Sequence, residues 1–171
     1  MTPLLQVQDL HVRFGPKEVV RGVNFSIAAG EKLALVGESG SGKSVTFLAT
    51  MGLLPTRAKV TGSVLLAGEQ LIGASPKQMR SVRGRLLSMI FQDPLSALNP
   101  VHRIGNQIAE MLQSHQSLTN REAETRAVEL LDIVGIPQPN DRSKQFPHEF
   151  SGGMRQRVVI AIAIANNPKV L

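Results

Sequence analysis

The stretch that most restricts the fold is KLALVGESGSGKSVTFLAT, Lys32 to Thr50. KLALVG is short and almost continuously apolar, which predicts a strand covered on both faces. It runs directly into GESGSGKS, which fits G-x-x-x-x-G-K-[ST] with Gly37, Gly42, Lys43 and Ser44 at the fixed positions. SVTFLATMGLL then has the length and spacing of a helix and stops at Pro55. A strand, a glycine turn and a helix in that order make a phosphate cradle. Glycines let the backbone curl so that successive amides face anionic oxygens, and the helix adds its positive end. Glu38, Ser39, Gly40, Ser41 and Val45 complete the turn and the first helical step. Lys43 reaches toward the outer phosphates, and the Ser44 hydroxyl suits Mg2+. The ligand implied is a nucleoside triphosphate.

The flanking segments supply a scaffold. LLQVQDLHVRF alternates apolar and polar residues, GPK turns, VVRGVNFSI resumes a strand and AAGE turns again, which predicts a small antiparallel sheet. Downstream, GSVLLAGEQL reads as a strand with a turn, SPKQMRSVRGR as a short helix, and LLSMIFQ as a buried strand ended by DPLSALNP. From Val101 the pattern becomes helical. RIGNQIAEMLQSHQ is amphipathic, and TNREAETRAVELLDIVG opens with Thr119 and Glu122 at capping-box spacing, closing at Gly135 and Pro137. A polar linker leads to FSGG, a final apolar helix to about Asn166, and KVL, which reads as the start of a strand. With 171 residues, 42% of them hydrophobic, one cored domain with a small appended lobe is expected.

Composition narrows the chemistry. Without Cys there is no disulfide, thiolate zinc site or iron–sulfur ligation in these residues. The net charge of +6 suits a polyanionic partner, but the basic residues are scattered; only RSVRGR is dense, and it reads as a solvated helix end. With Phe the only aromatic there is little sign of a stacking platform, and no nucleic-acid partner is expected. No signal-peptide pattern opens the chain, and VVIAIAIA falls far short of the ~20 residues a membrane span needs. His11, His102 and His115 carry no ligand pattern, and His148 reads as solvated or capping.

FSGG before an apolar helix repeats the cradle physics: a hydroxyl at Ser151, close-approach amides at Gly152 and Gly153, and a helix N-terminus. Alone, this is also a common way to begin a helix. The order of motifs adds specificity: the first cradle, a segment ending in Gln92, a helical insertion, then SGG-x-x-QR. That order resembles the ATP-binding cassette of ABC transporters over essentially the whole chain, and MIFQDPLSALNP with PHEFSGGMRQRVVIAIAIA is most similar to the ATPase subunits of bacterial oligopeptide, dipeptide and nickel importers.

The resemblance implies an α/β P-loop NTPase core of the ABC type, with an N-terminal antiparallel β-subdomain and a helical subdomain: residues 1–100, 101–150 and then 151–171 for the signature helix. It implies ATP and Mg2+ as ligands and ATPase activity coupled to transport. Phe14 would stack on adenine with Val20 beside it; Gln92 would sense Mg2+ and the attacking water; Ser151, Gly152 and Gly153 would hold the nucleotide of a second ATPase subunit. Phe150 and Met154 stand where the signature most often has Leu and Gln. Transmembrane permease subunits and, indirectly, an extracytoplasmic substrate-binding protein are the further partners implied, at the cytoplasmic face of the bacterial inner membrane. The family's Walker B strand and switch His do not occur in these residues, so the chain reads as truncated before that strand and inactive in hydrolysis alone. A DNA-repair or chromosome-maintenance cassette, and a non-catalytic nucleotide-binding fragment, are the alternatives.

Overall fold

The computed structural model describes residues 3–171, leaving aside the side chain of residue 95. The chain forms two compact units, one reaching to Arg80 and taking in Val170, the other comprising Ser81–Lys169 and Leu171.

The first unit is built on an antiparallel sheet of order β2-β1-β3-β4, with β1 Leu5–Phe14, β2 Lys17–Ile27, β3 Ala58–Leu66 and β4 Glu69–Gln70. Alternation along β1 buries Leu5, Val7, Leu10 and Val12, joined by Val20, Val64 and Leu66 from the neighbouring strands. The step from Val7 to Leu10 breaks strict alternation, and the register shifts there against both partners. Asp9 absorbs the shift with φ 48°, and its amide is taken up by the Asn24 side-chain oxygen at 2.9 Å. Strand β3 meets this bulge at Gly62, where a Cβ would lie 2.3 Å from the Asp9 carbonyl oxygen. Helix α1 (Lys43–Thr50) lies against β1 and β2. Its two buried hydroxyls are satisfied within the helix, Thr46 Oγ1 donating to Gly42 O at 3.0 Å and Thr50 Oγ1 to Phe47 O at 2.7 Å.

The second unit is helical, with the end of α2 (Pro76–Val82), then α3 Pro94–Ala97, α4 Ile104–Gln113, α5 Asn120–Ile133, α6 Pro139–Arg142 and α7 Gly152–Ile164. Ile104, Ile108 and Leu112, four residues apart, form one fully buried stripe on α4. It packs with Ala127, Leu130 and Leu131 of α5, Val158 and Ala161 of α7, and Ala165 just beyond that helix. The capping box at the start of α5 is present: Thr119 N donates to Glu122 Oε2 at 2.8 Å, and Glu122 N to Thr119 Oγ1 at 3.3 Å.

Two expected strands are absent. KLALVG and the SMIFQ portion of LLSMIFQ have no regular secondary structure, and the sheet consists of β1 to β4 alone. Leu33, Val36 and Phe91, expected to be buried, are 42%, 93% and 39% exposed. A strand exists only within a ladder, and an apolar run outside one has neither hydrogen-bonded neighbours nor a covered face.

Two measurements check this packing. Gly62→Ala is expected to cost more than about 2 kcal/mol in urea unfolding, because a Cβ there collides with backbone in a left-handed conformation, whereas Gly68→Ala, with open space around it, should cost about 1 kcal/mol. Equal costs would disprove the contact at the bulge. Acid should also weaken the fold. Arg13 and then His11 pull the Glu18 carboxyl down to about 2, and the Thr119 hydroxyl and amide lower that of Glu122. A depressed carboxyl contributes stability above its ordinary value near 4.5 and loses it as pH falls through the folded value. The decline between about pH 5 and pH 2 should therefore be shallower in Glu18→Gln.

Candidate functional site

The first cradle is assembled by the sheet and α1. Gly42 is the residue before the helix, with φ 94°, and a Cβ there would meet the Val19 carbonyl oxygen at 2.9 Å and Val20 Cγ2 at 3.4 Å. Only glycine combines that backbone conformation with that approach. The bulged end of β2 thus seats the turn, and Val20, 3% exposed, lies directly beneath it. At the other end of the turn, a Cβ on Gly37 would lie 2.8 Å from Ser41 Oγ. Ser41 N closes the loop onto Glu38 O at 3.2 Å.

Lys43 lies across this turn. Its ammonium donates to Gly37 O and Glu38 O, both at 2.6 Å, and contacts Ser41 Oγ at 3.4 Å. Ser44 is exposed and Val45 half-buried on the first turn of α1. Phe14, half-buried at the end of β1, faces Lys17 on one side and Ala58 on the other. The first unit therefore gathers Phe14, Val20 and residues 37–45 on one scaffold.

The second unit carries the other expected residues. Gln92 is exposed, in irregular backbone just before α3. Ser151 is the N-cap of α7, its Oγ accepting from Met154 N at 3.3 Å. Gly152 and Gly153 are exposed, and a Cβ on either would meet nothing within 4 Å. Phe150, 3% exposed, is buried in the helical core, and Met154 packs against that core. Their departures from Leu and Gln are thus absorbed by packing.

Sequence reasoning missed what holds this turn. Arg155 reaches back from α7, Nε donating to Pro147 O at 2.7 Å and a terminal nitrogen to His148 O at 3.4 Å. The Glu149 carboxylate accepts from Phe146 N at 2.7 Å. His148 stacks on Phe146 at 5.8 Å, and the Arg142 guanidinium lies 6.0 Å over the Phe150 ring. Arg157 donates to Gly135 O at 2.7 Å, tying α7 to the end of α5. Glu149, three residues after Phe146, supplies only the carboxylate half of a capping box, since Phe offers no acceptor, and the arginine contacts, made to backbone, leave no signal. A separate group, Asp9, His11, Arg13 and Glu18, is linked by hydrogen bonds on the sheet, although His11 carries no ligand pattern in the sequence.

The model of the family described as ABC transporter matches residues 20–171. The chain belongs to the ABC transporter family. It is 52% identical over 177 residues to the oligopeptide transport ATP-binding protein OppD of Bacillus subtilis (strain 168), a match covering 100% of this chain and 49% of that protein. It is 53% identical over 176 residues to OppD of Mycobacterium tuberculosis (strain ATCC 25618 / H37Rv), with 100% and 29% covered. The cassette chain thus spans about half or less of the length of these relatives. Among solved structures, the ATP-binding subunit of an ABC transporter superposes with a TM-score of 0.75 at 28% identity, covering 96% of this chain and 63% of that one. A dimeric cassette in a post-hydrolysis state bound to ADP and Pi superposes with a TM-score of 0.82 at 24% identity, covering 96% and 70%; the likeness shows a shared fold. Family membership carries nucleotide binding with it.

The contacts of Arg155 give a local prediction for this cassette. Arg155→Ala should speed amide exchange at Glu149 and Phe150 while lowering global stability by only about 1 kcal/mol. Unchanged exchange at those amides would mean that Arg155 does not hold the turn.

Proposed function

We propose that this chain is the nucleotide-binding part of an ABC importer ATPase that couples ATP binding and hydrolysis to passage of peptides, or nickel, across the cytoplasmic membrane. The observation that carries the reading is identity of 45–53% to relatives named oligopeptide or dipeptide transport ATP-binding proteins, over 98–100% of the chain.

Support for a triphosphate comes from the cradle's geometry: a tight turn whose Gly37 and Gly42 leave no room for a Cβ, an ammonium held across it and a helix start directly after it. In this reading Lys43 gives up its two carbonyl partners to bind the outer phosphates, and the amides from Glu38 to Ser44 line the rest. Mg2+, when bound, neutralises charge between the outer phosphates. Among the described residues no group of three or more His, Cys, Asp or Glu side chains could hold a metal ion. By the family resemblance, Ser44 in the first unit and, separately, Gln92 in the second would be the residues this chain offers to Mg2+. Phe14 offers its ring to the adenine, with Val20 fixing the floor.

Ser151, Gly152 and Gly153 would serve the nucleotide of a second ATPase subunit. The support is steric: among the described residues nothing lies within 4 Å of where a Cβ on either glycine would stand, which leaves room for a ligand from outside. We assign residues 1–100 to the β-subdomain and P-loop core, 101–150 to the helical subdomain and 151–171 to the signature helix. Permease subunits and, indirectly, an extracytoplasmic binding protein complete the assembly at the cytoplasmic face of the inner membrane. Among the described residues no helix is long and apolar enough to cross a membrane.

Titration calorimetry with Mg·ATP tests the cradle. Lys43→Ala is expected to bind at least about tenfold more weakly than wild type, and equal affinity would remove the first cradle as drawn. Ser151→Arg should leave binding by the single chain intact while blocking ATP-driven pairing of the assembled ATPase subunits in sedimentation. Persistence of the pair would rule out the role given to Ser151.

A further inference from the structure

The solvent face of the sheet carries a second concentration of charge. Cross-strand register places Glu18, Arg13 and Lys59 in one row and His11 opposite Thr61 in the next. Directly opposed residues share a face, and this one is opposite to that of Val12, which is 0% exposed, and of Phe14 two residues on. With Asp9 and Arg57 these residues line an open cleft of about 780 Å³. Small-molecule sites span roughly 300–1,000 Å³.

The cleft consumes its own carboxylates. His11 Nδ1 lies 2.8 Å from Glu18 Oε1, and Nε2 lies 3.0 Å from Asp9 Oδ1. Ionised carboxylates only accept, so the two contacts are both satisfied when the ring is protonated and each nitrogen donates, in line with the raised pKa of His11. Arg13 donates to the second Glu18 oxygen at 3.1 Å. Because the two carboxylates sit at opposite ends of one ring, they cannot converge on a metal ion. Arg57 and Lys59 have no ion-pair partner among the described residues, and both are exposed beside the Thr61 hydroxyl. With His11 protonated, four cations (His11, Arg13, Arg57 and Lys59) against two carboxylates leave the cleft two positive charges.

We propose that this cleft binds a phosphate monoester dianion, with Arg57 and Lys59 as its charge partners and Thr61 donating a hydroxyl. The guanidinium fork matches phosphate oxygens, and two uncompensated cations match a dianion where a single carboxylate would leave one unpaired. His11 sets the strength of the site. Hydrogen bonds donated to Glu18 and then to Asp9 raise its pKa, and the charged groups around it are Asp9, Glu18, Arg13, Arg57 and Lys59. When the imidazolium loses its proton, a carboxylate is left uncompensated and repels the ligand.

The ligand here is independent of the nucleotide cradle, so the test uses the complete 171-residue chain carrying Lys43→Ala. Inorganic phosphate should produce saturable amide shifts in residues 11–18 and 57–61. Adding Arg57→Gln and Lys59→Gln together should weaken binding at least about tenfold. Each single variant, expected to weaken it severalfold, serves if the double variant loses native spectral dispersion. Sulfate, a dianion across about pH 5 to 8, should bind less tightly as pH rises through the His11 titration, and His11→Gln should abolish that dependence. Vesicles containing phosphatidic acid separate the two sources of a monoester: cosedimentation that depends on Arg57 and Lys59 identifies a lipid headgroup, and phosphate binding without cosedimentation identifies a soluble ester. No shifts in the sheet, undiminished affinity in the charge-neutral variants, or binding of neither probe would overturn the site.

Discussion

The approach of Gly42 to the carbonyl of Val19 is the contact on which the first unit turns. A backbone amide can face an anion only if its own chain curls tightly, and the curl needs a floor. Here the floor is the bulged end of β2, and the distance a Cβ would have, 2.9 Å, leaves no room for a side chain. The same residue starts α1: its carbonyl accepts from Thr46 N at 2.8 Å and from Thr46 Oγ1 at 3.0 Å. One glycine thus joins the sheet, the turn and the helix, and the position of Lys43 follows from all three.

The second unit solves a different problem, that of holding a short polar turn at the head of an apolar helix. Helix α7 is buried on several sides, so its register is set by Val158, Ala161 and Ala165 in the core. Phe150 anchors the preceding residue in the same core. Between these anchors Ser151 has little freedom. Arg155 and Glu149 then tie the residues ahead of it to backbone atoms, and Arg157 uses the exposed carbonyl end of α5 as its partner, where the helix dipole favours a cation.

Features encoded within a few residues could be read from the chain. The glycine turn with its following helix, the alternation of β1 and the capping box of Thr119 and Glu122 depend on near neighbours, and α1, β1 and the capped start of α5 are all present. KLALVG and LLSMIFQ were misjudged because apolar content says only that a segment can be covered; a ladder partner must be supplied from elsewhere. The charged face of the sheet was overlooked for a related reason. Asp9, His11 and Arg13 stand at alternate positions, which marks a solvated strand face, but the cations that complete the cleft come from Arg57 and Lys59, more than forty residues later. Arg155 was invisible because its acceptors are carbonyls, which every residue has.

The two glycine turns differ in what explains them. At Gly37 and Gly42 the missing side chain is accounted for inside the chain, by Ser41 and by Val19. Gly152 and Gly153 have no such neighbour, and neither takes a left-handed backbone conformation. They are the first two residues of α7, directly after the Ser151 cap, where glycine leaves the first-turn amides uncovered by side chains. The first turn is shaped by its own sheet, whereas the open backbone at Gly152 and Gly153 is compatible with the role proposed for them toward a second subunit.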